Sequence, residues 1–379
     1  MPQSICFAAY SPEEIVERVN GSSEFHPTIG IIFSSVALGI PEIVAAVSPL
    51  DIPIVGCSTA GEILMTPDES SDLEQSAACW FADLDPSQSA VALFERNGDS
   101  ALELGNRIGS WGMNTFKDPA FIVGISGLKN DAETVVRGIK AICPKNTPIV
   151  GGLAGDDGNF TETYVFSDRG YSTDGAVAVV FDRSKVRVDG TTCSGWVGVG
   201  MDMVVTSSEG NVVYTINDRP ATDIYKDYLN LNGEALQKLG VTFPLLARRP
   251  DGTEVIRTFL SVDTGRGSLT FAGSLPQGAK VRFSSSFGYE IIEKSIREME
   301  DFHAEHPRAD LVLLFSCYAR RIAAGSMLAD ETQAASALWN VPVIGLFTYG
   351  EIGNNRMGEC DFYNETLCIA LIDFNDDLT

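Results

Sequence analysis

Short apolar runs recur along the chain at a regular spacing. Four of them, IGIIFSS (29–35), FIVGISG (121–127), NVVYTIN (211–217) and LVLLFSC (311–317), begin units of similar design. A helix-like segment comes next, clearest in DAETVVRGIKAI, with apolar residues at helical spacing, and in DETQAASALW, where Asp330 is the expected N-cap. A proline then opens a second apolar run, at Pro53, Pro148, Pro244 and Pro342, giving intervals of 95, 96 and 98 residues. Proline is best tolerated at the first residue of a strand, where its missing N–H and fixed φ cost least. A further run closes each unit: SAACWFADLD, DGAVAVVFD, TEVIRTFLSV and ETLCIALIDF. Strands joined through a helix are normally parallel, and fully apolar runs are covered on both faces. The predicted fold class is therefore α/β, with mixed β-sheets flanked by helices. Its internally repeated β-α-β-β units of about 96 residues form two related halves, joined around residues 183–220, where glycine is frequent and helix signals are absent. The unit around Pro244 carries Ala247 in place of the first loop glycine and reads as a degenerate copy. Flanking helices are expected over SPEEIVERVN, with Ser11 as cap, Pro12 in the first turn and Glu14 closing a capping box, and over EIIEKSIREMEDFHAEH.

The proline-led runs end in glycine loops that finish on an acid: IPIVGCSTAGEI (52–63) on Glu62, TPIVGGLAGDDG (147–158) on Asp156, and VPVIGLFTYGEIG (341–353) on Glu351. Backbone N–H groups in such loops can bind anions, but neither G-x-x-x-x-G-K-[ST] nor G-x-G-x-x-G is present. A carboxylate at that place disfavours phosphate and favours an amine, a hydroxyl or a cation; the alternative is a set of tight turns that need positive φ. Cys57 and Ser58 invite a nucleophile reading, yet the spacing is not G-x-S-x-G, and none of His26, His303 and His306 lies in a motif that aims it at the loops. His303 and His306, three apart near a helix end, could share a metal or simply complement the helix dipole. Arg320, just after a strand, could clamp a carboxylate or pair internally with Glu351 or Glu331. Asn130 and Asp131 occupy the equivalent place in the second unit, where Asp131 is equally an N-cap. The candidate ligand-binding set is Cys57, Ser58, Gly61, Glu62, Asn130, Gly152, Asp156, Asp157, Cys317, Arg320, Thr348, Gly350, Glu351 and Asn364, with no catalytic or metal residue assigned.

Composition narrows the partners. The 379 residues are 44% hydrophobic, enough for a full core and two domains of ordinary size. With 27 basic against 51 acidic residues the formal charge is −24, and no basic run offsets it, so nucleic acid and anionic membranes are poor partners. The N-terminus lacks a basic region ahead of an apolar core, and no apolar window reaches the ~18 residues of a membrane span, which predicts a cytoplasmic protein. The eight cysteines fall singly, without a C-x-x-C pair, as expected in a reducing compartment.

The three loop motifs, with FSCYARR, FYNETLCIALI and SGWVGVGMDMVVTSSEGNVVYTINDRPATDIYKDYL, resemble the FIST (F-box and intracellular signal transduction) family nearly end to end. The resemblance implies a FIST N-terminal domain over 1–220 and a FIST C-terminal domain over 221–379. It also implies a sensory protein that binds a small polar, amino-acid-like ligand and acts with a histidine kinase or another signalling protein. Some similar proteins sense nitric oxide through haem, but Tyr363 stands where related sequences often carry histidine. Two alternatives follow: a haem-based nitric oxide sensor, and an enzyme using Glu62, Asp156 and Glu351 as acid or base.

Overall fold

Pro53, Pro148 and Pro342 each stand one residue ahead of a strand in the computed structural model. Each proline carbonyl accepts from the neighbouring strand: Gly30 N–H to Pro53 at 2.9 Å, Phe121 N–H to Pro148 at 2.9 Å and Val312 N–H to Pro342 at 3.0 Å. Proline thus loses no ladder bond here, because its only lost group is the donor. The structure describes residues 3–66, 70–231, 235–236, 242–249, 252, 254–285, 288–356 and 358–374.

Residues 4–82 supply β1 (Ser4–Ala9), α1 (Pro12–Val19), β2 (Ile29–Ser34), α2 (Ile40–Val47), β3 (Ile54–Ser58), β4 (Glu62–Met65), β5 (Ser70–Leu73) and β6 (Ala77–Ala82). The second unit repeats the order with β7 (Ser89–Glu95), α3 (Ala101–Thr115), β8 (Pro119–Ile125), α4 (Ala132–Ile142), β9 (Ile149–Leu153), β10 (Val165–Ser167), β11 (Gly170–Ser172) and β12 (Gly175–Asp182). A third begins with β13 (Arg187–Cys193) and is interrupted by β14 (Val197–Glu209), β15 (Val212–Ile216), β16 (Arg219–Pro220), α5 (Ala221–Leu229), β17 (Leu245–Arg248), β18 (Glu254–Arg257), β19 (Phe259–Asp263), β20 (Ser268–Phe271) and β21 (Lys280–Ser285). It resumes with α6 (Glu290–Glu305), β22 (Leu311–Cys317), α7 (Tyr318–Ala324), α8 (Ala329–Trp339), β23 (Val343–Thr348), β24 (Glu351–Asn354), β25 (Cys360–Tyr363) and β26 (Leu367–Asp373).

Three six-stranded sheets share one plan, with orders β1-β6-β2-β3-β10-β11, β7-β12-β8-β9-β24-β25 and β13-β26-β22-β23-β4-β5. In each, the two strands flanking the helix are parallel and the rest antiparallel. The last two strands always come from another unit. The hairpin after the first glycine loop joins the third sheet, the one after the second joins the first, and the one after the third joins the second. Mixed sheets built from repeated units are therefore observed, as the periodicity predicts, and apolar faces of α1 and α2 cover the first sheet through Ile15, Val19, Ile43 and Val47.

The segment around Pro244 departs from the other three. Pro244 still precedes a strand, and its carbonyl accepts from Ser284 N–H at 2.9 Å, but β17 pairs antiparallel with β18 and β21 inside an eight-stranded sheet. β17 alternates in burial, with Leu245 and Ala247 inward, instead of being covered on both faces, which is the signature of an antiparallel sheet. At the helix ends, Glu14 accepts from Tyr10 N–H rather than from the cap residue Ser11, and Asp330 lies inside the first turn of α8 instead of capping it, where it accepts from Tyr289. Among the described residues, which include all eight cysteines, there is no disulfide, and seven of the eight are buried. Among the described residues no helix is long and apolar enough to cross a membrane.

Candidate functional site

The three glycine loops meet one another. Gly155 N–H donates to Ser58 O and Asp157 N–H to Thr59 O, joining the second loop to the first. Ala60 N–H donates to Phe347 O and Phe347 N–H to Gly61 O, joining the first to the third; Leu153 N–H to Gly350 O and Tyr349 N–H to Leu153 O close the ring. This hub forms because each loop leaves one sheet for another, so its backbone groups find partners only in the neighbouring units.

Two of the loop acids sit in the same circuit. Glu62 accepts from the Thr59 hydroxyl and from Ser76, through its N–H at 3.3 Å and hydroxyl at 2.8 Å. Glu351 accepts from the Thr348 hydroxyl at 2.6 Å and from Thr366, N–H at 3.3 Å and hydroxyl at 2.9 Å. The residue ahead of each second donor, Gln75 or Glu365, has positive φ. Both carboxyls are fully buried, and burial pushes Glu62 up to about 7 and Glu351 up to about 8. In the second loop Ala154 replaces the threonine. Asp156 accepts instead from Phe160, Thr161 and Glu162 N–H groups at 2.9, 2.6 and 3.0 Å and from the Tyr349 hydroxyl.

Beside the hub lies a cleft of about 750 Å³. Its one wall is the carboxyl ends of β8, β9, β22 and β23, with Gly127–Asp131, Leu153, Cys317–Ala319, Ile322, Thr348 and Tyr349; Phe160 and Asn364 complete that side. The opposite wall is the antiparallel sheet, through Gly210, Asn211, Thr258–Leu260 and Ala272–Ser274. Open α/β sheets bind ligands at such strand ends. Asn364 is 1% exposed and its Oδ1 has no partner, and the Asn130 Oδ1 is likewise buried and unpartnered. A buried acceptor left unmatched costs about 1–3 kcal/mol. Phe160 stacks on Tyr349 at 4.4 Å between ring centroids, with φ +53 and 53% exposure. A bulky side chain in the left-handed region stores strain of the kind found at binding sites.

The structure brings Asn130, Cys317, Thr348 and Asn364 into this cleft. Ser58, Gly61, Glu62, Gly152, Asp156, Gly350 and Glu351 belong to the hub or its strands instead. Ser58 donates to Gly155 O at 2.6 Å and accepts from Tyr164 N–H, while Gly152 pairs with Glu351 across β9 and β24. Cys57 packs against Gly124 in the core, its thiol pushed up to about 12 by burial, and Asp157, raised by burial, accepts from the Ser35 hydroxyl at 2.8 Å. Arg320 resolves to the internal alternative. It is fully buried, pairs with Glu331 at both forks and donates to Ser194 O, so it presents nothing to the cleft.

Sequence reasoning missed Phe160, Tyr349, Thr258 and Glu365. Glu365 is fully buried, accepts from Thr258 at 2.9 Å, leaves Oε2 unpartnered and is pushed up to about 8 by burial. An acid at a repeat position that holds Gln75 in the first unit was the available signal. The side chains around the cleft offer little to a haem iron. No histidine lines it, the Cys317 thiol is pushed well up by burial, and Tyr349 is engaged by Asp156. Of the two histidines near the helix end, His306 lies 3.0 Å from Asp189 and His303 packs edge-on against Trp339.

No curated protein matches the chain. Models of protein families do: the FIST N domain matches residues 28–219 and the FIST C domain residues 221–354. The two matches run consecutively, one holding the first two sheets' parallel strands and the other most of the antiparallel sheet and third unit, and the chain belongs to the FIST family.

Proposed function

We propose that this protein is the ligand-binding component of a signal-transduction system, working in the cytoplasm and passing its state to a separate signalling protein such as a histidine kinase. The ligand is small, and its place is the cleft between the strand ends of the second and third units and the antiparallel sheet. The observation that carries this reading is the cleft itself, about 750 Å³ at the carboxyl ends of four strands and faced by the antiparallel sheet. Family membership supports the sensory role, and walls drawn from both matched domains support a change of shape on binding. Glu62, Asp156 and Glu351 act behind the site by holding the hub that positions Thr348 and Tyr349.

A thermal-shift screen of small metabolites tests it. A ligand at 100 times its dissociation constant adds about 2.7 kcal/mol of stability. That shift is expected to vanish in the double variant Leu260→Trp/Ile322→Trp, which fills the mouth at two exposed positions. A screen without stabilising compounds, or a shift that survives the double variant, overturns the proposal.

A further inference from the structure

Three rings meet in one corner of the cleft. Phe160 stacks on Tyr349, with centroids 4.4 Å apart and planes 11° from parallel. Tyr318 stands at 60° to the first and 63° to the second, its centroid 6.3 and 5.9 Å away. All three line the cleft, and they come from separate places in the chain: the loop after β9, the first residue of α7 and the loop after β23. Phe160 holds its place through a left-handed backbone, at φ +53, and is 53% exposed, so its ring is not spent on filling the core.

The rest of the lining agrees with the rings. Leu128, Leu260 and Ile322 are 40, 48 and 52% exposed, and all three line this cleft, Leu260 from the antiparallel sheet. Single exposed apolar side chains mean little, whereas several around one hollow mark a contact surface. Lys129 and Asp131 on the wall are of opposite sign and are both engaged by the protein. Lys129 Nζ lies 3.1 Å from the Thr173 hydroxyl and 3.8 Å from Glu162, and Asp131 accepts from Thr134 N–H at 3.1 Å and its hydroxyl at 2.6 Å. The arginine expected to serve a ligand carboxylate, Arg320, is closed off with Glu331. An ion entering here gives up water for counter-charges that are already committed.

We infer that the cleft selects an uncharged ligand with a flat aromatic body, seated in the corner between Phe160 and Tyr318; this rests on the reading of the cleft as the ligand site. Aromatic pairs prefer offset-stacked or edge-to-face geometry, and a corner whose planes stand 60° apart offers one flat ring both at once. A saturated body of the same size gains only the buried area. An amino-acid-like ligand would bring two charges to a wall whose own charges are taken.

Methyl NMR titration of the full chain with 2-phenylethanol, 2-cyclohexylethanol, 2-phenylethylammonium and 3-phenylpropionate separates the classes, and the signals of Leu128, Leu260 and Ile322 report whether the cleft is the place occupied. 2-Phenylethanol is expected to move those methyls and to bind about fivefold or more tighter than the saturated alcohol, although the latter is the more hydrophobic. It is also expected to bind about tenfold or more tighter than either ion. Phe160→Leu keeps apolar bulk on the same backbone and removes one ring, so the ratio between the two alcohols should fall about threefold, a change that lost stability alone does not produce. Equal or tighter binding of the saturated alcohol or of an ion, with the methyls moving, overturns the ligand class and leaves the cleft reading standing, and so does a ratio unchanged by Phe160→Leu. A 2-phenylethanol titration that leaves the methyls unmoved also overturns the inference, and the broader thermal-shift screen then decides the cleft reading by itself.

Discussion

The Thr348 hydroxyl donates to the Glu351 carboxyl at 2.6 Å from three residues earlier in the chain. The same relation holds between Thr59 and Glu62, so two of the three repeated loops enclose their acid in a local turn completed by the residue before the closing strand. The acid is a structural part of the loop, and its protonation is coupled to folding.

That coupling sets a pH dependence. Glu62, Glu351 and Glu365 are raised by burial to about 7, 8 and 8, above their unfolded values, so the native state holds protons that the unfolded chain has released. Their contribution is fully present below the unfolded carboxyl range near 4.5 and is lost as pH rises through about 7 to 8, at about 1.4 kcal/mol per pH unit for each group. Urea midpoints between pH 5 and 8 should fall accordingly. Glu351→Gln keeps the hydrogen-bonding shape without the ionisation and should flatten part of that slope, gaining on the order of 2–4 kcal/mol relative to wild type across the window; an unchanged slope in this variant would exclude Glu351 as a contributor.

Arg320 and Glu331 make a fully enclosed pair, and removing one partner strands the other. Glu331→Leu or Arg320→Met alone should cost about 3–5 kcal/mol, whereas the double variant should recover much of the loss. A double-mutant cycle by chemical denaturation reads this directly, and additive single losses would contradict it.

Gly61 has φ +123, and a Cβ there would lie 2.3 Å from Arg321 Nη1. Gly61→Ala should cost about 1–3 kcal/mol, combining backbone strain with displacement of Arg321 from Ala60 O and the Phe347 ring. Gly98→Ala, at φ +86 with open space around it, isolates the strain. The difference between the two melting shifts measures the Arg321 contribution, and equal shifts would mean it contributes nothing.

Phe160→Gly relieves left-handed strain of about 1 kcal/mol and loses an aromatic pair worth about 0.5–1.5 kcal/mol, so stability should change by less than about 1 kcal/mol. Binding of a compound that stabilises the wild type in the thermal-shift screen should nonetheless weaken about fivefold or more, because the ligand loses one ring of its wall. Preserved affinity in calorimetry would remove Phe160 from the site.

The period of the chain was legible because its cause is local: a proline ahead of each parallel strand, and a small-residue loop where chains approach closely. Asn130, Cys317, Thr348 and Asn364 could be placed near a site because strand ends are where α/β sheets bind ligands. The acids misled for a physical reason. A carboxyl after a glycine loop reads as exposed chemistry, whereas the exchange of hairpins between sheets, which no local pattern encodes, encloses Glu62 and Glu351. Arg320 shows the same limit, since a short helix brings Glu331 back to it at a separation that sequence could not distinguish from Glu351. Phe160 and Thr258 left no signal, one lying in an irregular loop and the other between two short antiparallel strands.

The cyclic exchange of hairpins bears on how the chain is made. The β4–β5 hairpin, complete by residue 73, completes its sheet only against β23, which starts at Val343. At about 5–20 residues per second it waits roughly 15 s to a minute for that partner to be synthesised. Until then the first glycine loop, its glutamate and an unpaired strand edge stay open to solvent and to other chains, so this protein should depend on chaperones during synthesis more than its final stability suggests.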